Sequence, residues 1–94
     1  MVPPSLKITG FDYKPSFKKD LRRLDPGIRK DVQKAINDLK GDNELSPGRH
    51  LKKLKGSNAY SIRIGRDYRL SFEVDGEIAI LRRVGPRQKF YESY

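Results

Sequence analysis

The chain has 94 residues, with 21 Lys and Arg against 12 Asp and Glu, and a formal charge of +9 at neutral pH. That length accommodates one small domain, expected over residues 1–94, and the single histidine and absence of cysteine exclude disulfide scaffolds, thiolate catalysis and the usual Cys/His zinc sites. The longest aliphatic run, Ile78–Leu81, falls far short of the ~20 residues of a membrane helix, and the N-terminus lacks a signal-peptide core, so a soluble cytoplasmic protein with no membrane partner is expected.

In chain order, Met1 to Ser5 reads as a lead. The alternation of Leu6-Lys7-Ile8-Thr9 then predicts a strand running toward Tyr13, with Gly10 as a weak point. Pro15-Ser16 marks a helix start, and Phe17, Leu21 and Leu24 share one helical face. Asp25-Pro26 restarts the chain, because the carboxylate caps free N–H groups and proline suits the first helical position. A second helix follows with Ile28, Val32, Ala35, Ile36 and Leu39 on its apolar stripe, and Gly41 is its expected stop. The two helices should form an antiparallel hairpin. Asp42 to Gly48 is a polar loop containing the Pro47-Gly48 turn signal.

The period then changes from helical to alternating. Tyr60, Ile62 and Ile64 face one way, Ser61 and Arg63 the other; Tyr68, Leu70, Phe72 and Val74 repeat the pattern, opposite Arg69, Ser71 and Glu73. Reversals at Gly65–Asp67 and Asp75-Gly76 make a meander whose third strand is Ile78 to Val84. The helix hairpin is the natural cover for the apolar face. The fold class is therefore α+β, an N-terminal strand and helix hairpin packed on one face of a mostly antiparallel sheet. Arg63 and Arg69 should be displayed on the other face, exposed, with the tail residues Arg87 and Lys89 arriving beside them. On that reading Arg69→Ala leaves the fold intact to within about 1 kcal/mol.

The charge is concentrated. Arg49 to Arg69 holds seven basic residues and one acid, and Arg82 to Lys89 adds four basic residues and no acid, so the rest of the chain sums to −1. Basicity so distributed points to a polyanion, with nucleic acid the leading class, against the alternative of a merely solvated surface.

The succession Leu51-Lys52-Lys53-Leu54-Lys55-Gly56, Tyr60-Ser61-Ile62-Arg63-Ile64, Asp67-Tyr68-Arg69-Leu70 and Val84-Gly85-Pro86-Arg87, with Tyr91 beyond, resembles the RelE/ParE superfamily of bacterial toxin–antitoxin toxins. The Pro47-Gly48 turn is similar to the HigB branch and the basic tail to RelE itself. The resemblance implies a ribosome-dependent mRNA endoribonuclease without metal or cofactor, silenced by a co-encoded, acidic antitoxin. In such chemistry the 2′-hydroxyl attacks the adjacent phosphate, so cations must meet the developing charge while one group takes a proton and another supplies one. Carried over by motif, Arg69 matches the phosphate-stabilising arginine, Arg87 the second arginine and Tyr91 the C-terminal tyrosine that stacks or donates a proton; Arg63 is a further basic position.

Each assignment has a plainer counterpart. Arg69 could be a cross-strand partner of Glu73 or Asp67, Arg87 a surface arginine, and Tyr91 a core cap. His50, the one histidine of the chain, is the general-base candidate, imidazole being the side-chain type suited to proton transfer, against an exposed loop histidine. Glu73 reads as an ion-pair partner for Arg63 and Arg69. Lys52, Lys53, Lys55, Arg66, Arg83 and Lys89 are candidates for RNA or ribosome contact. Two other functions stay open: a ParE-like inhibitor of DNA gyrase that needs no nuclease site, and a non-catalytic RNA-binding module using Tyr60, Tyr68 and the lysines.

Overall fold

A computed structural model describes residues 7–40, 49–53 and 59–87. In chain order these form β1 (Gly10–Tyr13), α1 (Pro15–Arg22), α2 (Pro26–Leu39), β2 (Lys52–Lys53), β3 (Ala59–Ile64), β4 (Tyr68–Asp75) and β5 (Ile78–Pro86). The strands make one sheet in the order β1-β5-β4-β3-β2, parallel between β1 and β5 and antiparallel elsewhere. Both helices pack on one side of it.

Local chemistry accounts for the helices. Asp25 Oδ1 accepts from Ile28 N at 3.1 Å and Pro26 occupies the first position of α2, so the expected cap is the observed one. Val32, Ala35, Ile36 and Leu39 return to the same face each turn and are buried with Phe17 of α1. Beneath them lie Ile62, Ile64, Leu70, Phe72, Ala79, Leu81 and Val84, the alternate residues of the three long strands. Tyr60 and Phe72, paired across β3 and β4, stack with centroids 5.8 Å apart.

Three features depart from the sequence reading. Ile8 makes only an isolated bridge, and the first strand begins at Gly10. A Cβ at residue 10 would stand 2.8 Å from Ile78 Cδ1, so a larger residue there would oblige the tip of that side chain to turn aside. Lys52 and Lys53 form a strand although nothing in two lysines favours one; their pairing with Ser61 and Tyr60 defines it. Finally, β5 carries a bulge: Ser71 pairs with Arg83 but Phe72 with Leu81, leaving Arg82 as the extra residue. The bulge keeps both Leu81 and Val84 in the core. The expected stop at Gly41 and the loop at 42–48 lie outside the described residues.

The bulge sits where β5 loses its outer neighbour, because β1 covers only Ile78 to Leu81. The backbone of the residue before α1 and two side chains of the helix take over that edge. Lys14 N donates to Leu81 O at 2.9 Å, Ser16 Oγ donates to Arg82 O at 2.6 Å, and Val84 N donates to Asp20 Oδ2 at 3.2 Å. The same carboxylate receives Arg83 Nε at 2.8 Å and Nη2 at 3.1 Å. An exposed strand edge is thereby closed without another strand.

Asp20, with its side chain 13% exposed, holds a backbone donor and a guanidinium at once. Asp20→Ala is expected to lower the unfolding free energy by roughly 1–3 kcal/mol, and Asp20→Asn by less, because the amide oxygen can still accept from Val84 N. Urea denaturation of the three proteins checks this. An alanine variant as stable as the parent would show that the edge is closed by other means.

Candidate active site

The β3–β4 turn organises one end of the sheet. Gly65 adopts φ +56°, and a Cβ there would lie 3.2 Å from Asp31 Oδ2 of α2, so glycine serves both the conformation and the close approach. Arg63 curls over the turn, Nε donating to Gly65 O at 3.0 Å and Nη2 to Arg66 O at 3.4 Å. Arg87 N, just past β5, donates to Asp67 O at 2.7 Å and ties the strand end to the same turn.

The segment that leads into β2 is fastened from two sides. Arg49 reaches Asp38 of α2 through Nε (2.9 Å) and Nη2 (2.7 Å), and donates through Nη1 to Arg63 O at 3.1 Å. His50 has φ +49°, a left-handed conformation that only a few per cent of non-glycine residues adopt. Its carbonyl oxygen accepts from Arg69 Nη2 at 2.8 Å.

Arg69 is therefore the residue whose placement differs most from the sequence reading. It does lie on the face turned away from the helices, but it is only 6% exposed. Its Nε donates to Ser61 Oγ at 3.1 Å, and its Nη2 reaches Ser61 Oγ at 3.0 Å and Ser61 O at 3.2 Å besides the His50 carbonyl. Ser61 itself is 2% exposed. Strand alternation correctly assigns the face, yet this part of the face is buried. Glu73, expected beside Arg63 and Arg69, instead meets Arg82 at 3.2 Å and Lys14 at 3.6 Å.

Around this framework lies a cleft of about 80 Å³ lined by His50, Lys52, Arg63, Arg66, Tyr68, Arg69 and Arg87. Four of the five expected catalytic residues meet there, joined by Lys52 and Arg66 from the RNA-contact set. Lys53 is the next residue along β2 and is exposed outside the cleft lining, Arg83 is held by Asp20, and Lys55, Lys89 and Tyr91 lie outside the described residues. Tyr68 is the lining residue that strand alternation assigned to the core and that only the alternative RNA-binding reading counted among the contact residues. It is the first residue of β4, opposite Ile64, so it is only half-buried and borders core and cleft together. Its position directly after the turn was the available signal.

Five of the seven lining residues are Lys or Arg, and among the described residues no Asp or Glu joins them. Like charges held this close raise the local potential and favour an anion with several oxygens, such as a phosphodiester. Among the described residues no group of three or more His, Cys, Asp or Glu could hold a metal ion, and no helix is long and apolar enough to cross a membrane.

A two-helix cover, this strand order and a cationic cleft at the meander's end fit the resemblance carried by the sequence motifs, and comparison with known proteins supplies the class. The family model for the ParE toxin of type II toxin–antitoxin systems matches residues 11–91. The chain belongs to the RelE/ParE superfamily of type II toxin–antitoxin toxins. It is 37% identical over 81 residues to Toxin RelE3 of Methanocaldococcus jannaschii, covering 84% of this chain and 91% of that one. Among solved structures it resembles the RelB–RelE antitoxin–toxin complex from Methanococcus jannaschii (TM-score 0.64, 33% identity, 88% of this chain and 98% of that one). It also resembles RelBE2 from Mycobacterium tuberculosis (TM-score 0.67, 29% identity, 87% and 93%). YafQ from E. coli, at 18% identity and TM-score 0.65, shares the fold over 88% of this chain and 98% of its own.

Burial of Arg69 reverses the expectation that it can be removed without structural cost. Arg69→Ala strips the donor from Ser61 Oγ, Ser61 O and His50 O, and should cost on the order of 3 kcal/mol of stability. Arg69→Lys should recover part of it, since one ammonium cannot occupy both nitrogen positions. Arg66→Ala, exposed on the turn, should stay within about 0.5 kcal/mol. Thermal and urea denaturation of the three variants give the ranking, and an Arg69→Ala protein as stable as Arg66→Ala would contradict it.

Proposed function

We propose that this toxin is a ribosome-dependent mRNA endoribonuclease that works without a metal ion. The observation that carries the reading is the cleft, where cationic side chains surround a histidine and a tyrosine with no carboxylate among the described lining residues. In the proposed step the 2′-oxygen of the mRNA forms a bond to the adjacent phosphorus and the bond from phosphorus to the 5′-oxygen breaks. The products are a 2′,3′-cyclic phosphate and a 5′-hydroxyl. The 2′-proton passes to a base, for which His50 at the cleft is the candidate, and the leaving 5′-oxygen takes a proton, for which Tyr91 is the candidate.

The cations divide the remaining work by how they are held. Arg87, exposed just past the strand end and lining the cleft, is the candidate to grip non-bridging phosphate oxygens, whose charge grows in the transition state. Arg63 is committed to the carbonyls of Gly65 and Arg66 and so braces the turn that carries Arg66. Arg69 contributes positive potential from beneath and fixes the His50 backbone through its carbonyl. Lys52, Lys53, Lys55, Arg66 and Lys89 follow the neighbouring phosphates. Arg83, bidentate on Asp20, serves the fold instead.

The partner that silences the toxin is proposed to be a cognate acidic antitoxin, in keeping with related structures that are complexes with RelB and DinJ. The match to the ParE family model favours a second reading, inhibition of DNA gyrase by protein contact. The two readings diverge in the cell: one stops translation with transcripts cut at 5′-hydroxyl ends, whereas the other raises a DNA-damage response while translation continues.

Primer extension on programmed ribosomes tests the nuclease reading. Arg87→Ala is expected to lose roughly 100- to 1,000-fold in cleavage rate, the scale of one transition-state donor, while retaining its thermal midpoint. Cleavage at the parental rate by that variant would remove Arg87 from the mechanism. A parent protein that cuts no translated mRNA and poisons gyrase would replace the reading altogether.

A further inference from the structure

Two residues near the cleft stand against their local preferences, and one arginine connects them. Asp38 is the penultimate residue of α2, where the helix dipole favours a cation and disfavours a carboxylate. His50 holds φ +49°, a region that costs free energy for a residue with a Cβ. Arg49 donates to Asp38 Oδ2 from Nε at 2.9 Å and from Nη2 at 2.7 Å, and to Arg63 O from Nη1 at 3.1 Å. On the far side of His50, its carbonyl accepts from Arg69 Nη2 at 2.8 Å, and Arg69 is the register partner of Arg63. The His50 backbone therefore sits in a closed ring of contacts, from Arg49 to Arg63, across the ladder to Arg69 and back, which Asp38 fastens to the helix layer. The carboxylate is half-exposed, so the ion pair adds little to stability. Neither Asp38 nor Arg49 lines the cleft.

We propose that Asp38 and Arg49 are positioning residues: their ion pair ties the segment leading into β2 to α2 and so holds the His50 imidazole at the cleft wall. The effect on cleavage rests on the nuclease reading; the effect on His50 does not. The segment has few restraints of its own. Strand β2 is two residues long, pairs only Lys52 with Ser61 and Lys53 with Tyr60, and lies at the edge of the sheet. A left-handed residue held by Arg69 alone can relax by rotating its backbone, and the same rotation carries the imidazole out of place. A proton-transfer group has little tolerance for that, since misplacement by about 1 Å can cost on the order of 100-fold in rate. An ion pair that is weak as a source of stability can thus be strong as a restraint, which accounts for a carboxylate at the unfavourable end of a helix. Arg49, although it belongs to the basic segment of the sequence, is in this way committed to the protein itself.

His50 is the only histidine of the chain, so its imidazole Cε1–H gives a single NMR signal in the free full-length protein. Asp38→Ala removes the anchor together with an unfavourable charge at the helix end, so its thermal midpoint should equal or exceed that of the parent. The His50 signal should nevertheless shift and broaden as the imidazole samples a second position. On programmed ribosomes Asp38→Ala should lower kcat roughly tenfold and leave KM within about twofold. Arg49→Gln should lose at least as much, and the double variant no more than Arg49→Gln alone, because both substitutions break one link. Asp38→Glu, which restores the carboxylate, should recover most of kcat and the parental signal. A parental His50 signal and kcat in Asp38→Ala overturn the proposal, as does a reduced kcat with an unmoved signal, or a loss of activity in step with a lowered thermal midpoint. Should Asp38→Ala fail to fold, the same measurements on Asp38→Asn, which keeps the shape and removes the charge, decide the matter. Should the parent cut no mRNA, the nuclease reading fails, while the His50 signal of the free protein still decides whether the pair positions this histidine.

Discussion

A guanidinium held under the sheet's polar face is the constraint on which the cleft depends. Arg69 joins two parts of the chain that otherwise have little reason to meet: β3, through Ser61, and the segment leading into β2, through the His50 carbonyl. An arginine can be buried only if its donors are met, and here backbone and hydroxyl oxygens meet them. The arrangement does two things at once. It keeps His50 in a left-handed backbone conformation that costs free energy, and it puts a permanent positive charge below a cleft already lined by Lys52, Arg63, Arg66 and Arg87. A cationic cleft of this kind is stabilised by whatever anion enters it and strained when none does, which is the electrostatic condition a nuclease and an acidic antitoxin would both exploit.

The opposite flank of the sheet solves a different problem. Where β1 ends, β5 would present unpaired backbone to solvent, and α1 answers with Ser16 and Asp20. One carboxylate there replaces a strand's hydrogen bond and neutralises Arg83. Its use illustrates why net charge along the sequence misdescribes the surface. Acids engaged as caps, edge partners and buttresses are occupied by those roles, and the helical segment, with its modest formal excess, is left with exposed lysines and arginines that have no ion-pair partner among the described residues.

Legibility in the sequence followed the range of the interactions. Helix α2 was readable because its cap, its proline and its apolar stripe all lie within the segment itself. The meander was readable because Tyr60–Ile64 and Tyr68–Val74 alternate cleanly between glycine-containing turns. The bulge left a trace in Leu81-Arg82-Arg83-Val84, where two polar residues in succession break the period of two. Strand β2 left none, since two lysines become a strand only through the partner they pair with. The burial of Arg69 was equally invisible: alternation specifies which face a side chain takes, whereas what covers that face is decided by residues distant in sequence. Much of the candidate cleft lining was nonetheless recoverable, because Arg63 and Arg69 are carried by strands whose register the turns determine and Arg87 directly follows the third.

The parallel pairing of β1 with β5 has a consequence for how the molecule is made. Gly10 waits for Ile78 and Tyr13 for Leu81, so the first strand acquires its sheet neighbour only when most of the chain exists. Such long closures place the decisive pairings late in folding. The cleft needs Arg87 as well, a residue later still. A chain emerging during synthesis can form α2 and the β3–β4 hairpin from local information, yet it has neither a closed β5 edge nor a complete cleft until its last quarter has been added. Assembly of the cationic site is thus coupled by topology to the arrival of β5 and Arg87, and until they have been made the cleft lacks one of its walls.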